Sequence, residues 1–216
     1  METGFASPTS EEVGHPTPPK RWATRTRVPD VPTFRCGLSA MNEKASIALI
    51  GLRGAGKSSV GRELATLLGG AYVDTDELIV REAACSIAEI FSREGESGFR
   101  LRERRVIASV VINPPAVISV GGGAVLDADN VEALLGVATI VWLDAPTGVL
   151  WTRVSNDPTS PGTRPALTDL DGERELERLT ASRRPLYARA ADLVIDASLG
   201  SPVEIARRIT DRLAAR

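Results

Sequence analysis

A glycine-rich segment of the sequence has the composition of a phosphate-binding loop. Residues 51–58 read GLRGAGKS, which fits the pattern G-x-x-x-x-G-K-[ST]. In such a loop the backbone N–H groups surround the β-phosphate of a nucleotide, the lysine reaches the β- and γ-phosphates, and the final hydroxyl can ligate Mg²⁺. A glycine-rich turn is the alternative, but an apolar strand pattern before the motif and a helical pattern after it favour the loop. The predicted nucleotide contacts are Gly54, Ala55, Gly56, Lys57, Ser58 and Ser59.

Two aspartates, Asp74 and Asp76, follow the next apolar segment along the chain. If that segment is a strand of a parallel sheet, both carboxylates lie at its carboxyl edge, on the same side as the phosphate loop. Asp74 would then hold Mg²⁺ directly or through water, and Asp76 would accept a hydrogen bond from an attacking hydroxyl. The alternative for Asp74 is an ordinary strand-end turn or a helix cap.

A basic and an acidic side chain three residues apart form the next candidate. Arg100 and Glu103 share one face of a predicted helix. In one interpretation Glu103 orients the guanidinium, whose planar fork then captures a substrate carboxylate through two hydrogen bonds. In the other interpretation the two side chains form an exposed ion pair that binds nothing.

Three consecutive glycines, Gly121, Gly122 and Gly123, end another apolar segment. Because they lack Cβ atoms, the backbone can approach a ligand closely and present N–H groups to it. A tight turn is the alternative interpretation. None of these motifs specifies a substrate alone, since phosphate loops are shared by switches, motors, transporters and kinases.

These candidate residues must be positioned by a sheet with helices on both faces. From Ser46 onward, short aliphatic or β-branched segments alternate with segments of helical period, which predicts βα units and a parallel sheet. The first helix should end at Gly69, and capping-box sequences predict helix starts after Ser86 and Ser201. The predicted strands are Ser46 to Ile50, Ala71 to Asp74, Ala116 to Val120, Thr139 to Leu143 and Leu193 to Asp196.

Composition narrows the class of protein. The 216 residues carry 26 basic and 28 acidic side chains, and the formal charge of −2 offers no basic surface for nucleic acid or an anionic membrane. The two cysteines, Cys36 and Cys85, lack the spacing of a metal site or a disulfide framework, and no apolar run is long enough to cross a bilayer. We therefore expect a cytoplasmic protein, and a monomer, because no surplus apolar helix is evident.

The N-terminal stretch differs from the rest of the chain. Six of the 14 prolines lie within the first 40 residues, with little apolar periodicity between them. Residues 1–43 are therefore predicted to be a disordered extension, and residues 44–216 the folded domain. A second interpretation stays open, in which translation begins at Met41.

Taken in order, the segments GLRGAGKSSVGRELA, DTDELI, FRLRE and SVGGGAV resemble the shikimate kinases. The spacing is compatible from about Ala45 to the C-terminus. The resemblance implies transfer of the terminal phosphate of ATP to the 3-hydroxyl of shikimate, with one Mg²⁺ ion, in aromatic amino acid biosynthesis. It also implies an α/β P-loop NTPase fold of three layers, with a five-stranded parallel sheet in the strand order of nucleoside monophosphate kinases and a mobile lid.

The resemblance also assigns roles on the shikimate side of the site. Asp76 would hold the shikimate hydroxyls and act as or assist the base. Arg100 would bind the carboxylate with the support of Glu103, and the three glycines would line the pocket through their backbone amides. Arg183 would be the second arginine at the carboxylate, although Arg184 beside it leaves that choice open.

On the nucleotide side, the resemblance implies that Arg153 stacks on adenine and that Arg164 reaches over the phosphates from the lid. A mobile arginine there would stabilise the transition state and help to exclude water. The segment from Val154 to Thr163 is longer than we expect for the lid of this family. Of the contacts that the resemblance implies, those between the lid and the nucleotide are therefore the least specific to this sequence. Two other interpretations remain: a kinase for another small acid such as gluconate, and a regulatory module that binds its ligand without turnover.

Overall fold

The structure, a computed structural model, describes residues 46–157 and 172–216. Within these ranges the strands are β1 (Ser46–Ile50), β2 (Tyr72–Asp74), β3 (Val117–Ser119), β4 (Ala138–Asp144) and β5 (Leu193–Asp196). The α-helices are α1 (Lys57–Leu68), α2 (Thr75–Ala83), α3 (Ile87–Ile112), α4 (Ala128–Leu135), α5 (Thr147–Ser155), α6 (Gly172–Ala190) and α7 (Pro202–Ala214), and a short 3₁₀ helix covers Ala124–Leu126. The predicted N-terminal extension at 1–43 and the predicted lid arginine, Arg164, lie outside the described residues.

All five strands are parallel, and their order across the sheet is β2-β3-β1-β4-β5. This order confirms the predicted α/β class with a five-stranded parallel sheet. The strands β2 and β3 lie on one side of β1, whereas β4 and β5 lie on the other. Open α/β sheets bind ligands at the carboxyl ends of their strands, next to such a switch in strand order. The loop that follows β1 therefore starts at the expected ligand crevice.

The strand β1 is buried along its whole length. All five of its residues are buried, and the exposed fraction is 2% at most. Because successive side chains of a strand point to opposite faces, a strand buried throughout must be covered on both sides. Helix α1 packs against α7, and α3 packs against α2 and α4. The predicted cover of helices on both faces is thus confirmed.

The predicted ends of the elements agree with the structure. Helix α1 is followed by Gly69 in the left-handed conformation, with φ of 63°. Ser86 and Ser201 each form a capping box at the start of their helices, with Glu89 and Glu204 respectively. The strands differ from their predicted bounds by no more than one residue at either end.

A break in α3 was not predicted. Gly95 has φ of 69° and ψ of −175°, which no helix can continue, so the helix changes direction at this residue. The part before the break contributes Ile87 and Phe91 to the cavity described below, and the part after it contributes Arg100. The break therefore allows one helix to line the cavity from two directions.

Candidate active site

The loop between β1 and α1 is arranged as an anion site. Gly54 and Gly56 adopt left-handed backbone conformations, and α1 begins directly after Gly56. Among the described residues no side chain caps this helix N-terminus, and its first turn holds no acidic residue. The first N–H groups of the helix and the positive end of its dipole can therefore serve an anion, as the motif predicts.

Lys57 lies within the same loop. Its ammonium group donates hydrogen bonds to the carbonyl oxygens of Gly51, at 2.9 Å, and Leu52, at 3.0 Å. These bonds hold a positive charge beside the helix N-terminus. The two features together concentrate positive potential on a small surface, which suits the phosphates of a nucleotide.

Ser58 and Asp74 form a pair of oxygen ligands beside the loop. The Ser58 hydroxyl, in the first turn of α1, donates to Asp74 Oδ2 at the end of β2 over 2.9 Å. In nucleotide sites Mg²⁺ takes only one or two groups from the protein, together with phosphate oxygens and water. Within residues 46–157 and 172–216, no group of three or more His, Cys, Asp or Glu could hold a metal by itself. The pair therefore fits an ion that is bound jointly with a nucleotide.

Asp74 also caps helix α2. Its Oδ1 accepts a hydrogen bond from the N–H of Asp76 at 3.0 Å, while Oδ2 accepts from Ser58. The cap and the metal site were alternatives at the level of sequence, but the structure is compatible with both because each uses a different oxygen. The cap also fixes the first turn of α2, and Asp76 in that turn lines the cavity.

Tyr72 belongs to this group and was not predicted. Its hydroxyl donates to Asp74 Oδ2 at 3.0 Å. Burial, followed by the nearby charge of Asp74, raises the pKa of Tyr72 far above its usual value, so the phenol stays a hydrogen-bond donor at neutral pH. No signal in the sequence marks it, because tyrosine is common in strands for reasons of packing alone.

The pair of Arg100 and Glu103 is not a surface ion pair. Glu103 is completely buried, and its Oε2 accepts a hydrogen bond from Arg100 Nη1 at 2.5 Å. Glu96 Oε1 contacts the opposite edge of the guanidinium, 3.4 Å from Nε and 3.3 Å from Nη2. Burial lowers the pKa of Arg100, but the charges and hydrogen bonds of the two glutamates outweigh it and raise the pKa above its usual value. The Arg100 guanidinium that lines the cavity therefore stays positively charged.

The three glycines that follow β3 lie beside Thr75, Arg100 and the phosphate loop. The N–H of Gly121 donates to Thr75 Oγ1 at 3.3 Å, and a Cβ atom on Gly123 would lie 2.3 Å from Arg100 Nη2. Of the three, only Gly122 lines the cavity among the residues described, and its carbonyl oxygen accepts hydrogen bonds from Arg183 and Tyr187. That all three amides face a ligand therefore stays a prediction; without a ligand, the Gly121 amide is bonded to Thr75, and Gly123 lies beside the guanidinium of Arg100.

Arg183 lies at the cavity, and Arg184 lies outside it. Arg183 is buried, with 8% of its surface exposed, and Nη1 donates to the carbonyl of Gly122 at 3.2 Å. No carboxylate in the described part of the chain forms an ion pair with it. The Arg184 side chain is 52% exposed, pairs with Asp144 and lies over the Trp142 ring, 5.5 Å from its centroid. Between the two candidates, the geometry favours Arg183.

Arg153 connects the phosphate loop to the segment after β5. From α5, its Nη2 donates to the carbonyl of Ala197 at 2.9 Å, and its Nη1 donates to Gly54 at 3.4 Å. Gly200 and Pro202, in the same segment as Ala197, line the cavity beside it. The contact of Arg153 with adenine stays a prediction.

These groups surround one shared cavity of about 870 Å³, a size typical of small-molecule sites. Glu103 is buried behind the wall, next to Arg100. A Cβ atom on Gly122 would lie 3.2 Å from the carbonyl oxygen of Gly51, so the glycine run directly adjoins the phosphate loop. The predicted residues that line the cavity are Gly54, Ala55, Gly56, Lys57, Ser58, Ser59, Asp74, Asp76, Arg100, Gly122, Arg153 and Arg183.

The cavity also has an apolar wall that was not predicted as part of the site. It is formed by Ile87, Phe91, Trp151, Leu176 and Leu179. Phe91 stacks on Phe99, with ring centroids 4.9 Å apart. Sequence patterns could not separate these side chains from ordinary core residues, because both kinds appear on the apolar stripe of a helix.

None of the helices within residues 46–157 and 172–216 is both long and apolar enough to cross a membrane.

Comparison with known proteins gives a consistent family. The family model described as shikimate kinase matches residues 53–214. The shikimate kinase of Symbiobacterium thermophilum is 41% identical over 171 residues, which cover 79% of this chain and 97% of that protein. The solved shikimate kinase of Acinetobacter baumannii, in complex with shikimate, has a TM-score of 0.75 and 34% identity, and the match covers 82% of this chain and 97% of that one.

A more distant structure shares the fold alone. The deoxyadenosine kinase of M. mycoides with bound dCTP has a TM-score of 0.51 at 15% identity, over 79% of this chain and all of that one. This likeness agrees with a P-loop kinase architecture.

Proposed function

This chain belongs to the shikimate kinase family and phosphorylates shikimate, and from that premise we propose how its residues transfer the phosphate of ATP to the 3-hydroxyl group. The substrate carboxylate is held by two arginines, the acceptor hydroxyl is aligned by Asp76, and the phosphates are held by the loop around Lys57. The side chains in these roles, Arg100, Arg183, Asp76 and Lys57, all line the same cavity.

The observation that carries the proposal is a buried arginine beside the phosphate loop. Arg183 is 8% exposed, and no acidic side chain of the described residues pairs with it. A buried charge is costly unless it is paired, so this position favours an anionic ligand. Arg100 lines the same cavity, with its charge maintained by Glu103. Two guanidinium groups suit the planar carboxylate that shikimate carries.

Asp76 is proposed to orient the hydroxyl that attacks. It lies at the N-terminal turn of α2, fixed there by the Asp74 cap, and it lines the cavity together with Lys57. Phosphoryl transfer needs positioning more than strong base catalysis, so a carboxylate that accepts a hydrogen bond from the acceptor is sufficient. The contact of Gly122 with the phosphate loop supports a short path between acceptor and donor.

The nucleotide is proposed to lie along the loop, with its adenine against Arg153. The loop amides and Lys57 hold the β- and γ-phosphates, and the segment around Gly200 faces the base. The role of Arg164 rests on the resemblance of its sequence context to the family's lid. It is proposed to approach the phosphates during transfer and to stabilise the charge on the transferred group.

One Mg²⁺ ion is proposed to be held by Ser58 and, directly or through water, by Asp74. Their contact of 2.9 Å and their oxygen ligands fit this ion. When bound, it would neutralise charge on the phosphate oxygens. The chain's own contribution is to fix the two oxygens beside the loop and to present its amides to the same phosphates.

The kinase domain is proposed to cover residues 44–216, supported by the family match over residues 53–214. A monomer is proposed because the sequence shows no surplus apolar helix. A cytoplasmic location is proposed because ATP, the expected donor, is available there.

The proposed function is tested by measuring ADP release from ATP and Mg²⁺ with different acceptors. The acceptors are shikimate, gluconate and a nucleoside monophosphate, with a reaction lacking any acceptor as the baseline. Stimulation by shikimate alone is the expected result. Equal rates with and without shikimate, in protein that still binds ATP, would contradict the proposal and favour either another acceptor or a binding module without turnover.

A further inference from the structure

Tyr72 occupies a position that the roles assigned so far do not explain. Its ring lies across α1, where a Cβ atom on Gly61 would be only 2.5 Å from Tyr72 Cε2. The Arg62 guanidinium lies over the ring, 5.4 Å from its centroid. Glycine is unfavourable inside a helix, so Gly61 marks a place where the helix surface is opened for this ring. The ring is therefore held in one place between the helix and the sheet.

The fixed ring directs its hydroxyl at the oxygen that Ser58 also contacts. Asp74 Oδ2 accepts from Tyr72 Oη at 3.0 Å and from Ser58 Oγ at 2.9 Å. The other oxygen, Oδ1, accepts from the N–H of Asp76 at 3.0 Å. Both carboxylate oxygens are thus fixed by donors, and the plane of the carboxylate cannot rotate without losing a hydrogen bond. The Ser58 proton is committed to Asp74, which leaves the lone pairs of Ser58 Oγ for a metal ion.

We propose that Tyr72 is a positioning residue for the divalent cation, and that its hydroxyl fixes Asp74 Oδ2 so that Ser58 presents its oxygen to the ion. This inference rests on the proposed function, because it takes Ser58 and Asp74 as the groups that hold Mg²⁺. It goes further because part of the affinity for the divalent cation is assigned to Tyr72, a side chain outside the phosphate loop that does not itself bind the ion. Residues that orient metal ligands typically change metal affinity by about 10- to 100-fold when they are removed.

The substitution Tyr72→Phe tests this role because it keeps the ring against Gly61 and removes only the hydroxyl. The probe is Mn²⁺, titrated by electron paramagnetic resonance into the full-length chain saturated with ADP. The expected result is a dissociation constant for Mn²⁺ about tenfold higher than in the wild type. The affinity for ADP without metal and the affinity for shikimate should both change less than about twofold, because neither ligand contacts the hydroxyl in this account.

Tyr187→Phe is the matched control. It removes the hydroxyl of a fully buried tyrosine, which donates to the Gly122 carbonyl at 2.5 Å rather than to Asp74. Its Mn²⁺ affinity should equal that of the wild type, so a general effect of losing a buried hydroxyl can be recognised. If Tyr72→Phe does not fold, Tyr72→Met also lacks the hydroxyl and should show the same loss of Mn²⁺ affinity.

Ser58→Ala separates the failure of this inference from the failure of the proposed function. If Ser58→Ala weakens Mn²⁺ binding and a folded Tyr72→Phe does not, the hydroxyl only stabilises the strand and the positioning role is wrong. If neither substitution affects Mn²⁺ binding, the assignment of the metal to Ser58 is wrong as well. If Ser58→Ala and Tyr72→Phe both weaken Mn²⁺ binding while Tyr187→Phe leaves it unchanged, the metal site at Ser58 and the positioning role of Tyr72 are both supported.

Discussion

Gly123 provides the space that the guanidinium of Arg100 occupies. A Cβ atom at position 123 would lie 2.3 Å from Nη2 and 2.5 Å from Nη1, well inside contact distance. The guanidinium is held in this space by Glu103 from one edge and Glu96 from the other. The glycine run therefore contributes to the site by the absence of a side chain, and this contribution can be tested separately from any backbone contact with substrate.

Gly123→Ala should weaken shikimate binding about 10- to 100-fold, because a misplacement of about 1 Å of a positioning group can have effects of this size. ADP affinity should stay within about twofold, since the phosphate loop is not altered. Gly148→Ala, where an added Cβ meets nothing within 4 Å, is the control and should leave both affinities unchanged. Titration calorimetry with each ligand checks the prediction. Unchanged shikimate affinity in Gly123→Ala would mean that Arg100 can bind the substrate without the space that Gly123 leaves.

Glu103→Gln should destabilise the protein by about 1.5–3 kcal/mol, the usual contribution of a buried hydrogen bond to a charged group. The substitution removes the charge that holds the Arg100 cation, at a residue with no exposed surface. Glu96→Gln acts on the same arginine from a side chain that is 53% exposed, so its effect should be below about 1 kcal/mol. Urea unfolding of the two variants measures the difference. Equal losses would contradict the buried role assigned to Glu103.

Asp76→Asn should reduce turnover by about 10²- to 10⁴-fold, the range for removing a group that handles a proton in the transition state. The amide keeps the size of the side chain and an oxygen that can accept a hydrogen bond, but it lacks the negative charge that draws the hydroxyl proton as the phosphate is transferred. Glu77→Gln is the neighbouring control, because its side chain is 63% exposed and pairs with Arg62 on the surface. Steady-state kinetics with ADP affinity measured in parallel separates catalysis from binding. Near-normal turnover in Asp76→Asn would contradict the role of Asp76 at the attacking hydroxyl.

The parts of the fold that follow from local patterns could be predicted from the sequence. The apolar segment of β1, the glycines of the loop and the stripe of α1 follow one another within 25 residues, and each has a period or motif of its own. The serines at 86 and 201 predicted helix starts because a capping box is complete within four residues. The order of the strands was implied only by the resemblance, since the periodicity of a segment does not show which other strands it pairs with in the sheet.

The contacts between distant segments could not be predicted. Tyr72 packs against Gly61, and Asp74 accepts from Ser58, only because β2 lies beside α1. A tyrosine in a strand has no sequence pattern that indicates such a neighbour. The sequence located the glycine run at the site, but it could not show that the Gly121 amide donates to Thr75, because that contact joins residues 46 positions apart. The choice between Arg183 and Arg184 depended on which face of α6 meets the cavity, and two adjacent positions differ by about 100° on a helix.

The central claim is that Arg183, buried and without a carboxylate partner in the described residues, binds the carboxylate of shikimate together with Arg100. It is tested most directly by calorimetry with shikimate and with its carboxamide, in the wild type, Arg183→Met and Arg184→Met. The wild type and Arg184→Met should prefer the carboxylate by about 100-fold, and Arg183→Met should lose about tenfold or more of that preference, as expected for a charge-assisted hydrogen bond. A full preference for the carboxylate in Arg183→Met would contradict the account.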